Sequence, residues 1–264
     1  MISVRAKKHL GQHFLHDTHI ANQIVDSLIP GLSEKVLEIG PGKGVLSAIL
    51  LQKPHFDTRF VEIDGESVEY LTQQYPSMGE RIFREDFLRF NLSAHFAGEV
   101  SIIGNLPYNI SSQIFFKVLE HRNQIPQVVC MIQKEVAERI AAPPGSKTYG
   151  ILSVLLQAYF TIDFLFTVHE HVFTPPPKVK SGVIRLIRSR NSPLPCNEAL
   201  FKQVVKTGFN QRRKTLLNSL KSLLAGNRPS DPIFLQRPEQ LSVDQFIALT
   251  QRIADLQTHQ NHAG

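Results

Sequence analysis

A chain of 264 residues with 42% hydrophobic and 20% charged residues can bury one substantial core with a smaller appendage, but not two full-size domains. The formal charge of +6 favours a polyanionic partner, because neutralising phosphates releases their counterions. The apolar run from Gly150 to Phe160 is far too short for a membrane span, and the basic stretch Met1 to His9 has no apolar segment behind it, so neither insertion nor export is expected. Cys130 and Cys196 lie far apart with no partner at metal-ligand spacing, so a reducing compartment is expected, with neither a disulfide framework nor a zinc site.

The spacing Ile20, Ile24, Leu28 predicts a short amphipathic helix with Asp17 as N-cap and Pro30-Gly31 as its stop. Strands are then predicted at Lys35–Ile39, Thr58–Ile63, Arg81–Phe83, Val100–Gly104 and Val128–Ile132. Helical stretches at Val45–Leu51, Ser67–Gln74, Ser111–His121 and Lys134–Ala141 lie between or after them, which is the pattern of βαβ units on a parallel sheet. Tyr159–Val168 and Gly182–Ile187 read as a strand pair around the rigid loop Pro175-Pro176-Pro177, an antiparallel addition at the sheet edge. Past Arg190 the character changes: Asn191-Ser192-Pro193 and Pro195 make a linker, and the rest reads as short helices with a polar tail, Gln257–Gly264, expected to fray. The expected fold is therefore α/β, with a doubly wound domain over 1–190 and a small all-helical domain over 191–264.

Three clusters carry chemistry. Gly40-Pro41-Gly42-Lys43-Gly44 sits between a strand and a helix, where small residues let backbone approach a ligand. A tight structural turn and a dinucleotide-binding loop would look alike here. Glu62 at the end of the next strand and Glu85-Asp86 after the third would converge on the same crevice, Glu62 able to accept from ribose hydroxyls and Asp86 from an adenine amino group. The sharpest signal is Asn105-Leu106-Pro107-Tyr108 at the end of the fourth expected strand. An adenine N6 is a poor nucleophile because its lone pair is delocalised into the ring. Acceptors aimed at its two protons favour the pyramidal, reactive nitrogen. The Asn105 side-chain carbonyl and a main-chain carbonyl at Leu106, held outward by Pro107, can supply them, and Tyr108 can stack on the base. Phe173, just before the proline loop, is suited to the second face of that base, or to the core. Arg212-Arg213-Lys214 is expected to open a helix continuing with Leu216, Leu217 and Leu220, and its charges are phosphate contacts or a solvated face, as are Lys178 and Lys180 in the loop and Arg5, Lys7 and Lys8 near the start. His169 and His171 have no third ligand nearby, so no metal is expected.

Taken together, these runs resemble the ribosomal RNA adenine N6,N6-dimethyltransferases. The likeness extends from Lys8-His9-Leu10-Gly11-Gln12-His13-Phe14-Leu15 through Glu38-Ile39-Gly40-Pro41-Gly42, Val61-Glu62-Ile63-Asp64, Glu85-Asp86 and Asn105-Leu106-Pro107-Tyr108-Asn109-Ile110-Ser111. It continues in Phe173-Thr174-Pro175-Pro176-Pro177-Lys178-Val179-Lys180-Ser181 and Phe209-Asn210-Gln211-Arg212-Arg213-Lys214-Thr215-Leu216, which covers nearly the full chain. The resemblance implies a Rossmann-like class I methyltransferase fold and S-adenosylmethionine as methyl donor. It implies cofactor contacts at His13, Leu15, Gly40, Gly42, Glu62, Asp86 and Asn105, and base contacts at Asn105, Leu106, Pro107, Tyr108 and Phe173. Its implied substrate is a pair of adjacent adenosines near the 3′ end of 16S rRNA in the small (30S) subunit. A monomer is the default expectation for an enzyme that must dock on so large a particle, and the reducing compartment expected above is the cytoplasm. The antibiotic-resistance methylases of large-subunit RNA share the cofactor and Asn-Leu/Ile-Pro-Tyr parts, but Phe209 to Leu216 resembles the small-subunit branch. A non-catalytic assembly factor of the same fold is a further alternative, against which the retention of Gly40, Glu62, Asp86, Asn105 and Tyr108 argues. Two positions depart from the family: His13 stands where asparagine is usual, and Ser47 where threonine is.

Overall fold

A computed structural model describes residues 4–224 and 226–261. Two compact units emerge: residues up to Glu138 with Thr161–Arg188, and Arg139–Phe160 with the chain from Ser189 onward.

In chain order the first unit runs β1 (Phe14–Leu15), α1 (Thr18–Asp26), β2 (Lys35–Ile39), α2 (Val45–Leu50), β3 (Asp57–Val61), α3 (Gly65–Gln74), β4 (Ile82–Phe83), α4 (Leu92–His95), β5 (Ser101–Asn105), α5 (Ser111–Glu120) and β6 (Gln127–Gln133). The helix α6 (Lys134–Ala141) follows, then α7 (Ile151–Gln157), β7 (Phe160–Val168), β8 (Phe173–Thr174) and β9 (Ser181–Arg188). The Asp17 carboxylate accepts the Ile20 amide, the cap expected from sequence, and α1 stops at Asp26, ahead of Pro30.

Seven strands form one sheet in the order β4-β3-β2-β5-β6-β9-β7. The pairs β2/β3, β2/β5, β3/β4 and β5/β6 are parallel, and β9 adds antiparallel to β6 with Gln127 opposite Ile187. Strand β6 is buried on both faces, with Val128 through Ile132 at 0% exposure, so its sequence shows an unbroken apolar run instead of alternation. Helix α1 presents Ala21, Ile24 and Val25 to a core shared with Val36, Leu46, Ile103 and Met131. Because β3 and β5 flank β2 on opposite sides, the winding reverses at β2 and opens a crevice beyond the carboxyl ends of β2 and β5.

The second unit is helical: α7, α8 (Glu198–Asn210), α9 (Leu216–Ser219) and α10 (Val243–Asn261), with 3₁₀ turns at Pro232–Leu235 and Pro238–Gln240. Its core brings Val154 and Leu156 of α7 together with Phe201 and Val204 of α8 and Phe246 and Leu249 of α10, all essentially without exposure. The segment 139–160 was read from sequence as part of the larger domain, but its contacts bind it here. Tyr149 meets Phe209 edge-on at 6.1 Å, and the Arg212 guanidinium donates to the Ser146 carbonyl at 3.2 Å. Where the sequence predicts a polar tail from Gln257, α10 runs on to Asn261; the last three residues of that tail lie outside the described residues. Arg212, Arg213 and Lys214 do not open a helix: they form the turn between α8 and the short α9, whose N-cap is Thr215.

Candidate active site

Sequence places a glycine loop directly after β2, and three of its backbones take positive φ: Gly40 at 65°, Gly42 at 58° and Gly44 at 80°. At Gly42 a methyl group would also lie 2.9 Å from the Phe14 ring, so the position is closed to larger residues twice over. The loop forms one wall of a cavity of about 220 Å³ in the crevice. The segment from His9 to Leu15, the loop with Glu85 and Asp86, and Asn105 through Ile110 supply the other walls.

Glu62, the first residue beyond β3, is 4% exposed and faces this cavity. Its two oxygens accept separate backbone amides, Gly42 at 3.1 Å and Asp64 at 2.9 Å, so the carboxylate ties the glycine loop to the turn after β3. Burial nevertheless pushes its carboxyl above the usual range, against the downward pull of those amides. Asp86 accepts the Leu88 amide at 2.9 Å through one oxygen and is half-buried at the cavity wall.

Asn105 closes β5. Its Nδ2 donates to the His13 main-chain carbonyl at 2.9 Å, which orients the amide and leaves its carbonyl as the acceptor on offer. The preceding Gly104 is required by packing, because a Cβ there would stand 2.6 Å from the Ile39 carbonyl and push β5 away from β2. Leu106 commits its amide to the Met131 carbonyl at 3.0 Å, which seats the Leu106-Pro107 step against β6. The Tyr108 hydroxyl shares a 2.6 Å hydrogen bond with Ser181 at the start of β9, and its ring stacks on His13 with centroids 5.5 Å apart.

Of the residues singled out from sequence, the cavity brings together His13, Leu15, Gly40, Gly42, Glu62, Asp86, Asn105, Leu106, Pro107 and Tyr108. Phe173 is not among them. Its register opposite Leu15 in the β1/β8 ladder turns the ring into the core with Ile24 and Val183, and it is 2% exposed. Lys7 is committed inside the first unit: it pairs with Asp64 at 2.5 Å and Glu66 at 3.2 Å, and the Asp64 hydrogen bond is the main reason its ammonium is held above its usual range. Arg212 is similarly engaged within the second unit, 3.9 Å from Glu239 in addition to its bond to Ser146. Lys8, Lys178, Arg213 and Lys214 are exposed.

Glu38 is a cavity-lining acid that the sequence pattern does not single out. It is 1% exposed, lines the cavity and accepts the Ser47 hydroxyl at 2.7 Å. Burial, opposed by Ser47 and reinforced by the Glu62 charge, pushes its carboxyl up to about 8 from 4.5. The legible signal was an acid inside an otherwise apolar strand. A carboxyl raised by burial binds its proton more tightly in the folded state, so its favourable contribution is complete below the ordinary range and is lost as pH rises toward about 8. Wild-type stability is therefore expected to decline from pH 5 to pH 8 through this group, and Glu38→Gln to flatten that decline in urea unfolding at the two pH values. An unchanged slope in the variant would remove Glu38 as its source.

A parallel sheet reversing at β2, a glycine loop at that reversal and an acid receiving the loop's amide define a class I, S-adenosylmethionine-dependent methyltransferase. Residues 3–255 match the family model described as ribosomal RNA adenine dimethylase. Over 249 residues the chain is 59% identical to ribosomal RNA small subunit methyltransferase A of Parabacteroides distasonis, covering 94% of this chain and 93% of that one. Among solved structures, a dimethyladenosine transferase from Plasmodium falciparum has a TM-score of 0.76 at 24% identity, covering 92% of this chain and 98% of its own. The 23S rRNA methyltransferase ErmE has a TM-score of 0.67 at 26% identity, covering 90% and 99%. The chain belongs to the ribosomal RNA adenine dimethylase family.

Proposed function

We propose that this protein methylates N6 of two adjacent adenosines near the 3′ end of 16S rRNA in the small (30S) ribosomal subunit, converting each to N6,N6-dimethyladenosine. The observation that carries the reading is Asn105: at the mouth of the crevice, with its amide oriented by the His13 carbonyl, it offers a fixed acceptor to an exocyclic amine. Tyr108, held at its hydroxyl by Ser181, gives an extruded base a stacking surface, worth about 1–3 kcal/mol. The residues present fit the methyl donor: Glu62 for ribose hydroxyls, Asp86 for an amino group, Gly40 and Gly42 for close backbone approach, with His13 and Leu15 along the wall. S-adenosylmethionine, when bound, supplies an electrophilic methyl group. Asn105 and the Leu106 carbonyl polarise N6 as positive charge develops there. No strong base is required, since the proton can leave after methyl transfer. Phe173 is left out of this assignment because its ring lies in the core.

Identity favours small-subunit over large-subunit RNA, 59% to the small-subunit methyltransferase against 26% to the 23S enzyme. We place the protein in the cytoplasm and read it as a monomer, consistent with docking on a large particle; among the described residues no helix is long and apolar enough to cross a membrane. RNA contact is assigned to the exposed Lys8, Lys178, Arg213 and Lys214, with Lys7 and Arg212 as scaffolding neighbours. The Arg213→Ala variant is expected to lower the salt dependence of RNA binding by about one unit of log–log slope. An unaltered slope would return Arg213 to a merely solvated surface. The function itself is tested by incubating unmodified small subunits, large subunits and free RNA with labelled S-adenosylmethionine and mapping the product by nucleoside mass spectrometry. Dimethyladenosine near the 3′ end of small-subunit RNA is expected. Label confined to large-subunit RNA would support the resistance-type reading, and no label despite cofactor binding would support an assembly factor.

A further inference from the structure

Lys117 is the one lysine or arginine that the fold buries among the described residues, at 8% exposure. It sits on α5 beside the inward stripe Ser111, Ile114, Phe115 and Val118, so its stem runs along apolar surface before the ammonium meets a partner. That partner lies in the loop between β4 and α4. Nζ donates to the Leu88 main-chain carbonyl at 3.0 Å and stands over the Phe87 ring, 5.4 Å from its centroid. Burial pulls the ammonium below its usual range, against the charges of Glu120 and Asp86, which hold it up. Taking an ammonium out of water is costly, and a loop carbonyl can accept from water instead.

The stretch that Lys117 backs is one wall of the crevice, since Asp86, Phe87 and Leu88 all line the cavity. Within the loop one Asp86 oxygen accepts the Leu88 amide at 2.9 Å, and the Asp86 carbonyl takes the amides of Arg89 and Phe90. Leu88 is thus held at both of its backbone groups, its N–H by the Asp86 carboxylate and its carbonyl by Lys117. The same arrangement leaves the second Asp86 oxygen as the acceptor on offer.

We propose that Lys117 is a positioning residue for adenine recognition: by fixing Leu88 and backing Phe87, it aims the free oxygen of Asp86 at the exocyclic amine of the methyl donor. The inference rests on the reading of Asp86 as the adenine contact. Without the ammonium the Leu88 carbonyl loses its anchor, the loop gains a second setting, and the carboxylate no longer faces one direction of approach. That amine is what sets an adenine apart from a purine carrying oxygen in its place, so a loosened Asp86 costs discrimination more than it costs binding. Helix α5 begins directly after the Asn105–Ile110 wall and clamps the opposite wall from its second turn, so one rigid element sets both.

The full-length protein is titrated by calorimetry with S-adenosylhomocysteine and with S-inosylhomocysteine, in which a carbonyl oxygen replaces the amine and meets Asp86 acceptor to acceptor. Wild type is expected to prefer the adenosine form by about a hundredfold, the scale of losing a hydrogen bond to a charged group. Lys117→Met keeps the stem and removes the charge, and is expected to narrow that preference to about tenfold while kcat on small subunits stays within about threefold. Lys117→Arg retains a cation and a donor, and is expected to hold the preference within about threefold of wild type. Lys117→Gln, one atom shorter than lysine, replaces the methionine variant should that fold poorly, with the same narrowing expected. Because the preference is a ratio taken within one protein, a general loss of stability cancels from it. An unchanged ratio in the methionine or glutamine variant, with both ligands weakened equally or not at all, would overturn the proposal and leave Lys117 a prop of the loop. A ratio unchanged in Asp86→Ala would instead sink the adenine reading of Asp86, and the positioning role with it.

Discussion

Replacing Asn105 with alanine is expected to lower kcat for methyl transfer by about three orders of magnitude while leaving S-adenosylmethionine affinity within a few-fold of wild type. Removing one oriented group that stabilises developing charge costs catalysis about 10²–10³ in rate, and here the same side chain also holds the amine in line. The His13 carbonyl receives the Asn105 Nδ2, so truncation removes an acceptor from the reaction and a restraint from the segment before β1. Asn105→Asp separates these two losses. A carboxylate can still accept from an amine, but it cannot donate to the His13 carbonyl and sets two oxygens against each other. It should recover little. The check is a pair of measurements on one preparation, single-turnover transfer on unmodified small subunits and calorimetric cofactor titration. Near-normal turnover in Asn105→Ala would remove Asn105 from the polarising role.

The second large effect is expected at Glu62, where alanine should weaken S-adenosylmethionine binding by about a hundredfold, the worth of charge-assisted hydrogen bonds to a ligand. The structure explains why glutamine should not rescue it. Both Glu62 oxygens already receive backbone amides, from Gly42 and from Asp64, and a glutamine must point its NH2 at one of them, donor against donor. The glycine loop would shift in consequence. Because burial raises the Glu62 carboxyl, the acid takes up its proton at a higher pH than an exposed glutamate does. Cofactor affinity is accordingly expected to fall on acidification before an ordinary carboxylate would titrate, and folding to gain from this group over the same interval, since the folded state holds the proton more tightly. Calorimetry across pH on wild type and Glu62→Ala checks both statements. Unchanged affinity in the alanine variant would take Glu62 out of the ribose site.

The amino-acid sequence by itself determined the order and type of the main elements in the first unit, though not the short β1, α4 and β8. Alternation of short apolar runs with helical stripes is a local property, and β2 and α6 appear over the very residues that periodicity marks, Lys35–Ile39 and Lys134–Ala141. It also determined that Gly40, Gly42, Glu62, Asp86 and Asn105 meet in one cavity, because each sits at a strand end and parallel strands bring their carboxyl ends to the same edge. Tertiary structure decided what local pattern cannot encode. Phe173 and His13 are both aromatic residues near the site, but only the β1/β8 register sends Phe173 into the core, and only the approach of the proline loop sets the His13 ring against Tyr108. Lys7 and Arg212 read as free cations until Asp64, Glu66, Ser146 and Glu239, 27 to 66 residues away, are brought beside them. The segment 139–160 carries no mark of its unit, since burying Val154 and Leu156 against Phe201 and Phe246 depends on chain that follows much later. The Glu38 carboxyl is pushed toward its neutral form only when the fold strips its water away, and desolvation is a property of the assembled core.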